Sequence, residues 1–152
     1  MDKNGVAVLP LPTEDTGLLP SRSLAIWPYT DMSDPHFFWG EHDIAFRQDP
    51  AVERPTKIGL NDTVGKAAYL GHGQALVKSF VTEHGTATYP DFGCSAEMYS
   101  CNLFMELESL SPIRKIGKNE TITHEEEWTL VPDVELGEFT NETVEKLASV
   151  LF

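Results

Sequence analysis

The chain has 152 residues, with 24 Asp and Glu against 11 Lys and Arg and a formal charge of −13. That length suits one domain with a core of its own, and that charge repels phosphate backbones and anionic lipid, which sets nucleic-acid and membrane partners aside. Hydrophobic residues at 41% and aromatics at 10% exclude a disordered chain. No apolar run approaches the ~20 residues of a membrane helix. The opening MDKNGVAVLPLP has neither the basic nor the apolar region of a secretory signal, so a cytoplasmic location is expected.

Ten prolines and eleven glycines cut the sequence into short pieces, the mark of an all-β chain. Val6–Leu9 reads as a short apolar strand stopped by Pro10 and Pro12, and Thr13–Ser21 as polar loop. Leu24–Trp27 follows as a strand ended by Pro28, and Thr30–Pro35 as a turn. His42–Gln48 and Thr56–Leu60 are the next strands, closed by Asp49-Pro50 and Asn61-Asp62. Lys66–Leu70 and Gln74–Phe80 flank Gly71-His72-Gly73, the clearest hairpin in the chain.

After a long loop come Cys94–Tyr99, Leu103–Leu110 and Thr121–Val131. In Leu103–Leu110, alternation puts Leu103, Met105 and Leu107 on one face and Phe104, Glu106, Glu108 and Leu110 on the other. In Thr121–Val131, the face carrying Ile122, His124, Glu126, Trp128 and Leu130 is polar at one end and apolar at the other, which predicts a strand running from rim to core. The period then changes. Thr140 or Asn141 caps a helix with an apolar stripe of Val144, Leu147, Ala148 and Leu151, in which Glu142 and Lys146 pair at i, i+4. The expected fold is an antiparallel β-sandwich over residues 1–131, with an acidic linker and terminal helix over 132–152.

From Glu120 to Glu145 there are nine acidic residues and no Lys or Arg, which reads first as a solvated edge. Glu125, Glu126 and Glu127 are consecutive and alternate in direction on a strand, so they do not converge on one ion. Cys94 and Cys101 fit neither a CxxC motif nor a zinc ribbon, and read as two free buried thiols, with a cross-strand disulfide as the alternative. The five histidines form no HxH or HExxH group, and GxSxG, P-loop and GxGxxG patterns are absent. No metal and no cofactor is expected.

Two segments carry candidate chemistry. Trp27-Pro-Tyr29 and Phe37-Phe38-Trp39, interleaved with Asp31, Asp34, His36, Glu41 and His42, offer flat apolar faces beside polar groups. A sugar needs that combination, because its C–H face stacks while its hydroxyls bond. The same aromatics also suit a loop covering a sheet end. In the second segment, Ser95, Glu97 and Tyr99 share one strand face, so Glu97 reads as a general base, a sugar-hydroxyl acceptor or part of a solvated face.

The blocks Val6–Pro12, Leu24–Asp31 (LAIWPYTD), Phe46–Pro50 (FRQDP), Lys57–Leu60 (KIGL), Thr88–Tyr99 (TYPDFGCSAEMY), Met105–Pro112 (MELESLSP) and Thr123–Leu130 (THEEEWTL) occur in the order of a known family. From about Val6 to Val131 the chain resembles an uncharacterised bacterial group of galactose-mutarotase-like proteins, relatives of the aldose 1-epimerases. The resemblance implies that the blocks correspond to the C-terminal half of proteins about twice as long. It also gives Glu97 the role of base on the anomeric hydroxyl. The epimerase acid, a histidine, falls before Met1 in that correspondence, and Lys57 stands roughly where the sugar-binding Asp-His pair would be.

The leading expectation is therefore a carbohydrate-binding, mutarotase-like sandwich, inactive as an isolated chain. Glu97 would accept sugar hydroxyls near Lys57, Arg47 and Tyr99, with Trp27 and Trp39 walling the groove. Aldose 1-epimerisation with Glu97 as base is the enzymatic alternative. A structural fragment is the third, in which a homodimer or larger assembly covers the bare sheet face.

Overall fold

Alternation fixes the strands, and turn chemistry fixes how they join. Lys66–Gly71 (β6) and Gln74–Phe80 (β7) form the expected hairpin. Its loop has two residues rather than three. Gly71 pairs with Gln74 while His72 and Gly73 take the left-handed conformation at φ 57° and 73°, the geometry that matches strand twist in a tight hairpin. The computed structural model describes residues 1–152. Its other strands are β1 (Val6–Pro10), β2 (Leu24–Ile26), β3 (Phe37–Trp39), β4 (Asp43–Arg47), β5 (Thr56–Leu60), β8 (Ala96–Ser100), β9 (Met105–Ser109) and β10 (Glu126–Pro132). One helix, α1 (Asn141–Leu151), ends the chain. No helix is long and apolar enough to cross a membrane.

The strands form two antiparallel sheets, one of six strands in the order β10-β7-β6-β1-β4-β3 and one of four in the order β2-β5-β8-β9. The chain is an all-β sandwich with a short C-terminal helix. Between the sheets lies a core that includes Ala7, Leu9, Phe46, Ile58, Leu60, Tyr69, Met98 and Met105. The other face of the six-stranded sheet is covered by α1, whose Val144, Leu147, Ala148 and Leu151 are buried against Val6, Val8, Ala45, Ala68 and Val77. Successive residues of β1 thus feed different cores, and all five are buried. Thr140 caps α1 by accepting from the Thr143 amide, and the Thr143 hydroxyl accepts from the Thr140 amide in return. Glu142 and Lys146 are both exposed and make no ion pair.

Three expectations change. Phe37–Trp39 is an edge strand on β4 rather than a loop, with Phe37 stacked between the ring of Trp39 and the edge of Phe46. Thr121–Glu125 lies outside the last strand. And β10 does not run into a covered core. The four-stranded sheet is too narrow to reach it, so Trp128 and Leu130, on the inner side opposite Lys78 and Leu76, remain 63% and 64% exposed. Cys94 and Cys101 are free thiols, the first buried and the second half-buried.

Asp43 is buried on the helix-covered side of the six-stranded sheet, and no protein donor reaches its carboxylate. Burial pushes it up to about 6 from 3.8, with His42 opposing and Glu145 reinforcing the shift. Its folded value is thus raised above the unfolded one, so stability is lost as pH rises from the unfolded value through the folded one. We expect Asp43→Asn to match the wild type near pH 3.5 and to exceed it by ~2 kcal/mol at pH 7. Urea unfolding at the two pH values measures this, and an unchanged difference would assign Asp43 no linkage.

Candidate functional site

The outer face of the four-stranded sheet is set by register. Ala25 pairs with Gly59, Gly59 with Glu97, and Glu97 with Glu108, giving one row across four strands. Paired residues point to the same face, so the neighbouring row holds Lys57, Tyr99 and Glu106. Trp27 joins that row from just beyond β2, where its amide reaches the Lys57 carbonyl at 3.5 Å. The Trp27–Thr30 turn is fixed by the Thr30 hydroxyl, which accepts from the Lys57 amide at 2.9 Å and donates to the Lys57 carbonyl at 2.6 Å.

Lys57 is the centre of this face. Its Nζ lies 2.7 Å from Glu97 Oε2 and 3.1 and 3.2 Å from the two oxygens of Glu108, and it sits 5.0 Å from the centre of the Trp27 ring. Glu97 is 1% exposed, and its Oε1 is buried with no hydrogen-bond donor. Burial raises the Glu97 carboxyl above its ordinary value, with Lys57 opposing and Glu108 and Asp91 reinforcing the shift. Burial also works against the Lys57 charge, but the two carboxylates outweigh it and hold its ammonium above its ordinary value.

Two local features bury Glu97. A Cβ at position 59 would stand 2.7 Å from Cys94 Sγ and 3.1 Å from Glu97 Cγ, so only glycine lets both side chains close over β5. The chain then enters β8 through Asp91, Phe92 and Gly93, all left-handed at φ 47°, 64° and 102°. Phe92 is 99% exposed despite that conformation, which costs a non-glycine residue about 1 kcal/mol or more. With Ala25, Trp27 and Asp91 it lines a cleft of about 190 Å³ beside the Lys57 cluster.

The structure brings Glu97, Lys57, Tyr99 and Trp27 onto one face. It does not bring Arg47 there. Arg47 pairs with Val6 on the helix-covered side of the other sheet, where its guanidinium lies 4.8 Å from the Phe139 ring centre and donates to the Gly137 carbonyl at 3.4 Å. The placement of Arg47 near Glu97 is therefore corrected, because β4 lies in the six-stranded sheet while Glu97 lies in the four-stranded one. Trp39 is also elsewhere, on the inner side of edge strand β3, with its indole N–H donating to the Met32 carbonyl at 3.2 Å. Ser95 does not bond Glu97. Its hydroxyl donates to the Asp62 carbonyl at 2.9 Å and lies 2.7 Å from His84 Nε2.

Sequence reasoning missed Glu108. Its face was legible from alternation, but its place opposite Glu97 depends on the β8–β9 register. None of the five histidines bonds Glu97. His36 pairs with Asp34 and Asp49, His72 with Asp2, His84 with Ser95 and His124 with Ser109, while His42 lies 3.9 Å from Glu41. No three His, Cys, Asp or Glu side chains gather to hold a metal ion. No protein-family model matches the chain, and neither a curated protein nor a solved structure does.

Removing one member of a buried ion pair leaves the other uncompensated, typically at ~3–5 kcal/mol. We expect Lys57→Met to cost that much at pH 7, because Glu97 then stays buried with no cation. The defect should shrink as pH falls, since the Glu97 carboxyl, already raised, takes up a proton more readily in the folded variant than in its unfolded chain. Chemical denaturation at pH 5 and pH 7 tests this, and a defect independent of pH would mean the loss is one of packing alone.

Proposed function

We propose that the outer face of the four-stranded sheet binds a carbohydrate. The observation that carries this reading is the row of Trp27, Lys57 and Tyr99 lying beside the row of Glu97 and Glu108. Aromatic rings offer stacking surfaces for the C–H face of a sugar, and the Glu108 carboxylate and Tyr99 hydroxyl at the open side of the cluster offer groups to its hydroxyls. Glu108 is only half-buried and Tyr99 is partly open, so both are within reach of a ligand on that face. This is also the face onto which the resemblance to mutarotase-like proteins maps Glu97.

Binding is favoured over catalysis by what surrounds Glu97. A base needs a free lone pair directed at its proton. Here Oε2 is held by Lys57, and no histidine stands by as acid. A second reading, aldose 1-epimerisation with Glu97 as base, draws on one observation. A buried carboxylate oxygen without a donor, Oε1, is rare enough to need a reason, and a sugar hydroxyl would supply one if the side chains covering Glu97 opened to admit it.

Titration with glucose and galactose, followed by tryptophan fluorescence and amide chemical shifts, is expected to show millimolar binding centred on Trp27, Lys57 and Tyr99. Trp27→Ala should weaken it by roughly tenfold. Shifts confined to other faces, or none, would end the binding reading. Polarimetry on α-D-glucose separates the second one. We expect no acceleration of mutarotation, whereas acceleration abolished by Glu97→Gln would make Glu97 a working base.

A further inference from the structure

We propose that the free edge of β10 is a docking site for an extended cationic peptide, a strand in which apolar and Lys or Arg residues alternate. Three independent features lead there. β10 is the last strand of the six-stranded sheet, and no other part of the chain takes the backbone N–H and C=O groups on its outward side. Such an edge is a template for one more strand. Unlike many edges, it is long, with seven residues, and it carries no bulge; its only proline is the last residue, Pro132.

The two sides of β10 differ in chemistry. On the inner side Trp128 and Leu130 are largely exposed, and Trp128 is held in place because its indole N–H donates to Glu126 Oε2 at 2.7 Å. Glu126 is itself anchored by Lys78 Nζ at 2.7 Å and by the Ser109 hydroxyl. The indole is thus a fixed apolar surface with its one donor already used. On the other side stand Glu127 and, one step before the strand, Glu125. Neither makes an ion pair, and the sequence from Glu120 to Glu145 contains no Lys or Arg to supply one.

Cross-strand neighbours interact directly, so these two sides dictate the partner. A strand laid along β10 places alternate residues opposite Trp128 and Leu130, where apolar side chains fit. On the other side the partner's residues fall opposite Glu127, Thr129 and Val131, and a cation fits opposite Glu127, with Glu125 just beyond the strand's start. A second copy of this chain is a poor occupant. It would bring two molecules of charge −13 together, and none of its edge strands β2, β3, β9 and β10 carries a Lys or Arg to face Glu127.

The test uses the full chain with two capped nine-residue peptides, one alternating Lys and Val and the other Glu and Val. We expect the Lys/Val peptide to bind, to weaken steeply with salt, and to slow hydrogen exchange at the amides of β10. The Glu/Val peptide should not bind. Glu127→Lys, at an exposed and unpaired position, should reduce Lys/Val binding by tenfold or more. Leu130→Ser should weaken it without affecting folding. Absence of binding, equal binding of both peptides, or binding without protection of β10 would overturn the proposal. So would protection of β10 in the protein alone that rises with concentration alongside a dimer, because the occupant would then be a second copy.

Discussion

The fold depends on a strand that is buried on both faces. β1 runs Val-Ala-Val-Leu-Pro with no polar alternation, and it sits between β6 and β4 near the middle of the wider sheet. Ala7 and Leu9 complete the core under the four-stranded sheet, while Val6 and Val8 complete the one under α1. Without the helix, the second set would face water across a whole sheet, an apolar patch of the kind monomers rarely tolerate. The helix is therefore part of the sandwich and no appendage, although its stripe of four apolar residues makes it look separable in sequence. Asp43 sits at the rim of that packing, nearly buried and with no protein donor on its carboxylate.

The unequal width of the sheets is the second constraint, and a polar clasp closes the side where they diverge. Lys78 leaves β7 on the inner side, donates to the Leu107 carbonyl of β9 at 2.8 Å and pairs with Glu126 of β10. Ser109 joins Glu126 to His124, so β9, β7 and β10 meet through one network. Met105 and Met1 exchange two backbone bonds on the other side of β9, which occupies part of that edge as well. A buried lysine is costly without a counter-charge, and Glu126 supplies it at 2.7 Å. It is one reason this glutamate points inward while Glu125 and Glu127 remain in solvent.

Much of this was legible in the sequence, and the failures share a cause. The β6–β7 hairpin, most of the short strands between prolines and glycines, and the capped helix follow from local rules and are present within a residue or two, whereas the last strand begins five residues later than expected. Period-2 alternation also sorted the faces of β8 and β9 correctly. What alternation cannot give is which strand lies beside which. Arg47 was expected beside Lys57 and Glu97, yet β4 and β5 belong to different sheets. Glu108 went unnoticed because its partner lies across a strand pair. The apolar half of β10 looked like core because no local signal reports that the facing sheet stops at β9.

The same non-local logic defines what the Lys57 face is suited to do. Replacing a buried ion pair with packed apolar residues is often neutral or stabilising, so Lys57 and Glu97 are a costly way to fill space. Gly59 and the left-handed run at Asp91–Gly93 add to that cost, the first by leaving a gap for Glu97 and Cys94, the second by backbone strain. The outcome is a cation held between two carboxylates and against an indole. Rigid placement of this kind suits recognition of a ligand with several hydroxyls, where geometry decides affinity. It suits proton transfer poorly, because Lys57 already occupies Oε2 and no histidine stands beside Glu97 to act as acid. The cluster that makes this face distinctive is thus better matched to holding a sugar than to opening its ring.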